Sequence, residues 1–159
     1  MTSNSAHATF ADPGDGMSVY VRTASGFTTT FDTEEAGDAR SGPSPMESVL
    51  ATLAACTSMD VASILRKKRQ AMVGYEIAVS GNRSEAHPRV YTSIVIEHRI
   101  TGDVDAEALR RSVELSATRY CPVSAMLSAS VTIDHRFQLK RDAQDPAPVS
   151  ASVVVTGPR

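Results

Sequence analysis

The sequence predicts an α+β fold in which antiparallel sheets surround one long, buried central helix. Three observations predict it. Stretches that alternate apolar and polar residues lie on both sides of the helical part of the chain. The run from Pro45 to Arg69 has helix signals at both ends and apolar or small residues on nearly every face. Strands and helices come in separate groups, as they do in α+β folds and not in a doubly wound sheet.

Met17, Val19 and Val21 alternate with Ser18, Tyr20 and Arg22, and after Gly26 the residues Phe27, Thr29 and Phe31 share a face. This pattern predicts a β-hairpin. Thr33 to Pro45 is polar and carries Gly37, Gly42, Pro43 and Pro45, the composition of an exposed loop. At the start of the long helix, Ser44 suits the N-cap, Pro45 the first turn, and Glu47 the third position of a capping box. The basic run at residues 66–69 complements the negative pole at its other end. A helix from Pro45 to Arg69 is roughly 37 Å long at about 1.5 Å per residue. A single small subunit can hardly cover such a helix on all sides, so the pattern points to an oligomer.

Tyr75, Ile77 and Val79 begin a strand expected to turn at Gly81-Asn82, and Ile94, Ile96, His98 and Ile100 share one face of a longer strand. Asp103 or Asp105 caps a second helix with Leu109 and Val113 on its buried stripe, and a third opens at Cys121-Pro122. Val131, Ile133, His135, Phe137 and Leu139 then define an antiparallel strand with one wet face. Residues 1–15 read as a flexible N-terminal tail, 16–140 as the folded domain and 141–159 as a mobile C-terminal tail, with a short strand at Val153–Val155 as the one exception.

The composition narrows the function. The net charge of −2, with acids and bases intermingled, gives no field to attract nucleic acid or an anionic membrane. No leader pattern opens the chain, and no uninterrupted apolar run reaches the roughly 18 residues of a membrane span, so the expected location is the cytoplasm. No cofactor is expected, because glycine-rich nucleotide loops are missing, and the histidines lack metal-ligand spacing. His98 and His135 read as satisfied core histidines.

Two cysteines remain. Cys56 lies midway along the long helix among small residues and reads first as a small buried apolar thiol, the usual state of a free cysteine, and only second as a reactive one. Cys121 stands before Pro122 at a helix start, where unpaired N–H groups and the positive dipole end favour a thiolate. In a reducing compartment the two are inert core thiols or they perform redox chemistry.

The segments SPMESVLATLAAC (Ser44 to Cys56) and YCPVSAML (Tyr120 to Leu127), with the basic helix end between them, resemble the osmotically inducible protein C and organic hydroperoxide resistance family, OsmC/Ohr. The resemblance runs from roughly Met17 to Leu139, and PSPMESVL and LSATRYCPVSAML are most similar to the YhfA-like branch. It implies an OsmC-like intertwined homodimer with its sites at the subunit interface. It also implies a peroxidase cycle: Cys56 attacks a hydroperoxide, Cys121 resolves the sulfenic acid to a disulfide, and a dithiol reductant, in some members a lipoyl group, restores the pair. Cys56 among small residues is assigned the attack; Cys121, expected at a more accessible edge, the resolution.

Two features depart from the family pattern. A carboxylate usually follows the proline, where this chain has Met46, and Glu47 stands one place later, about 100° further round the helix. Glu47 is thus either a cap or a catalytic group. For the activating arginine, Arg40 is the first candidate and Arg22 the second. The alternative to a reductase is a dimer of the same fold that binds a small molecule or senses redox state.

Overall fold

The computed structural model describes residues 3–12, 14, 16–33 and 40–158. Part of the expected loop between Thr33 and Pro45, residues 34–39, lies outside them. The chain forms two compact units, Met1–Val49 and Leu50–Arg159.

The first unit is a three-stranded antiparallel sheet of β1 (Ala6–Phe10), β2 (Val19–Thr23) and β3 (Thr28–Phe31), in that order. The expected hairpin is β2–β3, with Val19 opposite Phe31. Gly26 turns it at φ 92°, a conformation that costs glycine least. β1 lies in the segment expected to be a tail. Its side chains are all exposed, so no apolar pattern marks it; what orders it is the ladder from Ala6 opposite Thr23 to Phe10 opposite Val19.

The second unit is built on a four-stranded mixed sheet of β4 (Ala71–Arg83), β5 (Tyr91–Asp103), β6 (Thr132–Lys140) and β7 (Val149–Thr156), again in that order. β4 pairs antiparallel with β5, and β7 antiparallel with β6. β6, expected to be antiparallel, is so towards β7 but runs parallel to β5, with Ile96 opposite His135. The reason is the helical connection between them, because a chain that crosses the sheet through helices returns in the same direction. β7 occupies much of the expected C-terminal tail and extends the anticipated short strand in both directions.

The expected turn at Gly81-Asn82 is instead part of β4, and the chain reverses over 84–90. Glycine at 81 makes room for a neighbour: a Cβ there would lie 2.7 Å from the Tyr91 ring.

One face of this sheet carries the core. The long helix α1 (Pro45–Lys67) sends Leu53, Val61 and Leu65 into it, and α2 (Ala106–Leu115) sends Leu109 and Val113. They meet Ile94, Ile96 and Ile100 of β5 and Ile133, Phe137 and Leu139 of β6. Asp105 caps α2, its carboxylate accepting from the Ala108 N–H at 2.7 Å. Gln70 and Lys68, just beyond α1, tie it to the start of α2 by accepting from the Asp105 N–H and donating to the Ala108 carbonyl.

By length and composition alone α1 could cross a membrane. Its packed stripe of Leu53, Thr57, Val61 and Leu65, and a hydrogen-bonded Asp60 in its middle, make it the core helix of this fold. Expected to be covered all round, it is fully buried along that stripe and half-buried beside it among the described residues. Ala51, Thr52, Ala55 and Met59 on the other side are exposed, Met59 at 72%.

Candidate active site

The two cysteines meet. Cys121 donates its S–H to Cys56 across 2.9 Å between sulfurs. Three local features bring this about. Cys56 sits one residue from the buried stripe of α1, beside Leu53 and Thr57. α2 runs on into a π-helical turn at Ser116–Tyr120, a wider coil that carries one residue more than an α-turn before releasing the chain. Cys121 then takes the N-cap position of α3 (Pro122–Leu127), with Pro122 in the first turn.

As the cap, the Cys121 sulfur accepts the Ser124 N–H at 3.3 Å and the Thr57 hydroxyl at 3.6 Å. Its accessibility is the reverse of the expectation. Cys121 is buried, 2% exposed, because Leu53, Ile94, Val131 and Ile133 pack around it, whereas Cys56 remains partly open. Access therefore supports the assignment of Cys56 as the attacking group, on different grounds from those in the sequence.

A third group, missed by sequence reasoning, completes the cluster. Asp60 stands one helical turn after Cys56, and its carboxylate and both sulfurs lie within 4.8 Å of one another. The Ser116 hydroxyl donates to Asp60 Oδ2 at 3.2 Å, so the π-helical turn orients this carboxylate as well as delivering Cys121. The available signal was a lone acid in the middle of an apolar helix, four residues from a cysteine.

The surroundings work against a preformed thiolate. Burial above all, then the hydrogen bond shared with Cys121, push the Cys56 thiol up to about 11, helped by the negative charge of Asp60 and against a smaller opposing effect of the Val123 N–H. Cys56 is accordingly a neutral thiol near pH 7.

The other expected site residues lie in the first unit and bind one another. The Ser44 N–H and hydroxyl donate to Glu47 Oε2 at 2.8 and 2.7 Å, and the Glu47 N–H donates back to the Ser44 hydroxyl at 3.2 Å, a complete capping box. Arg40 donates to the same Glu47 oxygen at 3.1 Å. The Ser44 hydroxyl above all, then its N–H, hold the Glu47 carboxyl below the ordinary range. Arg22 is exposed on β2. The cap gives a direct prediction: Ser44→Ala lowers stability by about 1 kcal/mol, read from urea unfolding.

His98 and His135 are fully buried side by side, their rings stacked at 6.5 Å. Tyr75 bonds His98 Nδ1 at 2.6 Å. They are core histidines as expected but not satisfied ones, since among the described residues His98 Nε2 and both nitrogens of His135 find no hydrogen-bond partner.

Comparison with known proteins agrees with this architecture. Residues 37–136 match the family described as OsmC-like protein. The chain belongs to the OsmC family. Among curated OsmC relatives, protein YhfA of Escherichia coli K12 is 38% identical over 126 residues, 79% of this chain and 92% of YhfA. The OsmC-like protein of Mycoplasma pneumoniae superposes with a TM-score of 0.76 at 18% identity, covering 88% of this chain and 99% of that one. An organic hydroperoxide resistance protein from Elizabethkingia anophelis gives 0.67 at 12% identity, covering 89% and 98%. At these identities the two structures share the OsmC fold with this chain.

Proposed function

We propose that this OsmC protein is a cytoplasmic two-cysteine hydroperoxide reductase that serves in oxidative stress defence. The observation that carries the reading is the 2.9 Å approach of Cys56 and Cys121, two residues far apart in sequence. A disulfide requires about 2.05 Å between sulfurs, so closing it asks for a movement of less than about 1 Å. The hydroperoxide resistance name of a structural relative agrees with this chemistry.

In the first step the Cys56 sulfur bonds to the terminal oxygen of a hydroperoxide as the O–O bond breaks. The thiol proton passes through the Asp60 carboxylate to the departing alkoxide, which leaves as an alcohol. Cys56 is now a sulfenic acid, oxidised by two electrons. In the second step the Cys121 sulfur attacks it, the S–S bond forms, and the hydroxyl leaves with the Cys121 proton as water. A dithiol reductant of the lipoyl kind then takes up the two electrons' worth of oxidation and restores both thiols. Because the thiol of Cys56 gains from deprotonation, its oxidation rate should climb as pH rises from 7 towards about 11. A rate flat across that range, measured by stopped flow, contradicts attack by the free thiolate.

The raised thiol is also what favours the second reading, a redox sensor that oxidises slowly and whose partner reads the disulfide. Steady turnover with organic hydroperoxides and a dithiol supports the reductase; a single oxidation without turnover supports the sensor. Arg40 and Glu47 are tested by the same assay. Their bonds to each other and to Ser44 favour a capping role. We therefore expect Glu47→Ala and Arg40→Ala to lower the thermal midpoint and leave Cys56 oxidation unchanged. Slower oxidation at unchanged stability assigns them to the reaction instead.

The working form in this proposal is an intertwined homodimer. The stripe Ala51, Ala55 and Met59 lies exposed on α1, and the first unit has its own apolar basin of Phe10, Met17, Val19, Val21 and Phe31. Surfaces of this kind are rarely left in water. Sedimentation at micromolar concentration should give a dimer, and Met59→Lys should shift it towards monomer. A monodisperse wild-type monomer refutes the homodimer.

A further inference from the structure

We propose that the reduced Cys56, Cys121 and Asp60 form a binding site for a thiophilic divalent cation of the zinc type, held by two thiolates and one carboxylate with a fourth position open to solvent. The inference goes beyond the reductase reading and requires only the reduced pair. Three ligand atoms from separate points of the fold converge within 4.8 Å of one another: two from adjacent turns of α1 and one from the start of α3. Two sulfurs with one oxygen and an open fourth place is a donor set that zinc accepts.

The supporting bonds around these atoms are already made. Ser116 fixes Asp60 through Oδ2, and among the described residues no hydrogen bond engages Oδ1. The Thr57 hydroxyl and Ser124 N–H both point at the Cys121 sulfur, where they can stabilise a metal-bound thiolate. Outer-shell bonds of this kind orient ligands and tune affinity.

Charge balance points the same way. A carboxylate and two ionisable thiols share the site, and among the described residues no lysine or arginine forms an ion pair with Asp60. Tetrahedral ligation at about 2.3 Å per thiolate sets the sulfurs about 3.8 Å apart. The present 2.9 Å contact then has to open by about one ångström, a side-chain adjustment. Binding replaces two S–H bonds with two metal–sulfur bonds and releases two protons, with no change of oxidation state. Bound thiolates are withheld from peroxide, and the disulfide cannot bind the ion, so metal and oxidant compete for the same two sulfurs.

The test uses the untagged, fully reduced full-length chain and cobalt(II) as an optical probe, followed by displacement with zinc(II). The expected result is one cobalt per chain, thiolate charge-transfer bands with tetrahedral d–d bands, and release of two protons per ion. Cys56→Ser and Cys121→Ser each lose the wild-type spectrum. Ser116→Ala weakens binding roughly tenfold, and Asp60→Ala more than that. Asp60→Asn, nearly the same in shape, must show the same loss as Asp60→Ala, with circular dichroism confirming the fold of each variant. Absence of stoichiometric thiolate bands in the wild type overturns the site, and wild-type affinity in both Asp60 variants overturns the carboxylate ligand. Peroxide consumption measured separately on chelator-treated protein reports on the reductase reading alone, so failure of one is distinguishable from failure of the other.

Discussion

Cys56→Ser is expected to abolish hydroperoxide consumption, and Cys121→Ser to stop it after one turnover per chain. The two outcomes differ because the thiols differ in access while sharing a contact: Cys56 is partly open, and Cys121 is enclosed between α1, β5 and β6. Without Cys121 no thiol stands 2.9 Å away to capture the sulfenic acid. That acid should be trapped by a dimedone-type probe and driven to the sulfinic acid by excess peroxide. In the wild type, peptide mass spectrometry after one equivalent of peroxide should show a Cys56–Cys121 crosslink, missing from both variants. A sulfenic acid trapped on Cys121 with Cys56 still reduced reverses the roles. If neither thiol oxidises, the reductase proposal falls.

The second large effect is acid lability of the second unit. Burial, reinforced by the charge of its neighbour His135, holds His98 down to about 3, and burial holds His135 at about 4 against a weak opposing pull from Asp134. Tyr75, itself kept protonated chiefly by its burial, donates to His98 Nδ1 and suits the neutral ring. An unfolded histidine titrates near 6.5, so below that pH the unfolded chain takes up protons that the folded chain refuses. Stability is therefore fully present above about pH 6.5 and is lost as pH falls towards 4. A tenfold change in proton affinity is worth about 1.4 kcal/mol, so each histidine removes about 3 kcal/mol by pH 4. Together they rival the whole stability of an ordinary domain. Urea unfolding at a series of pH values should show this decline, and His135→Leu should flatten it by about one proton. A slope unchanged in that variant removes His135 from the account.

Much of the fold was legible because its signals are local. Ser44, Pro45 and Glu47 mark the start of α1 by capping chemistry, Asp105 does so for α2, and the alternation of β5 and β6 assigned Ile94, Ile96, His98, Ile133 and Phe137 to the buried face. What was illegible depends on pairing. β1 and most of β7 are edge strands whose order comes from a neighbour's backbone, which leaves no apolar rhythm in the sequence. The direction of β6 is set by the helical connection before it, since the same alternation fits either direction. At the site, the settings of Cys56 and Cys121 were readable one at a time. Their contact, the burial of Cys121 and the role of Asp60 follow from a crossing that brings distant segments together.

The π-helical turn at Ser116–Tyr120 carries a consequence for how such a site can be gained or lost. A helix advances about 100° per residue, so removing one residue from this turn and restoring α-helical winding rotates everything after it by that amount relative to α2. The hydroxyl that steadies Asp60 and the sulfur that touches Cys56 stand at opposite ends of the turn, and no single phase of an ordinary helix preserves both. The thiol pair thus depends on a residue of slack wound into the backbone, and not only on having two cysteines. A one-codon deletion there dismantles the cluster while both cysteines remain in the sequence, and a one-codon insertion is the smallest step by which an inert scaffold acquires it.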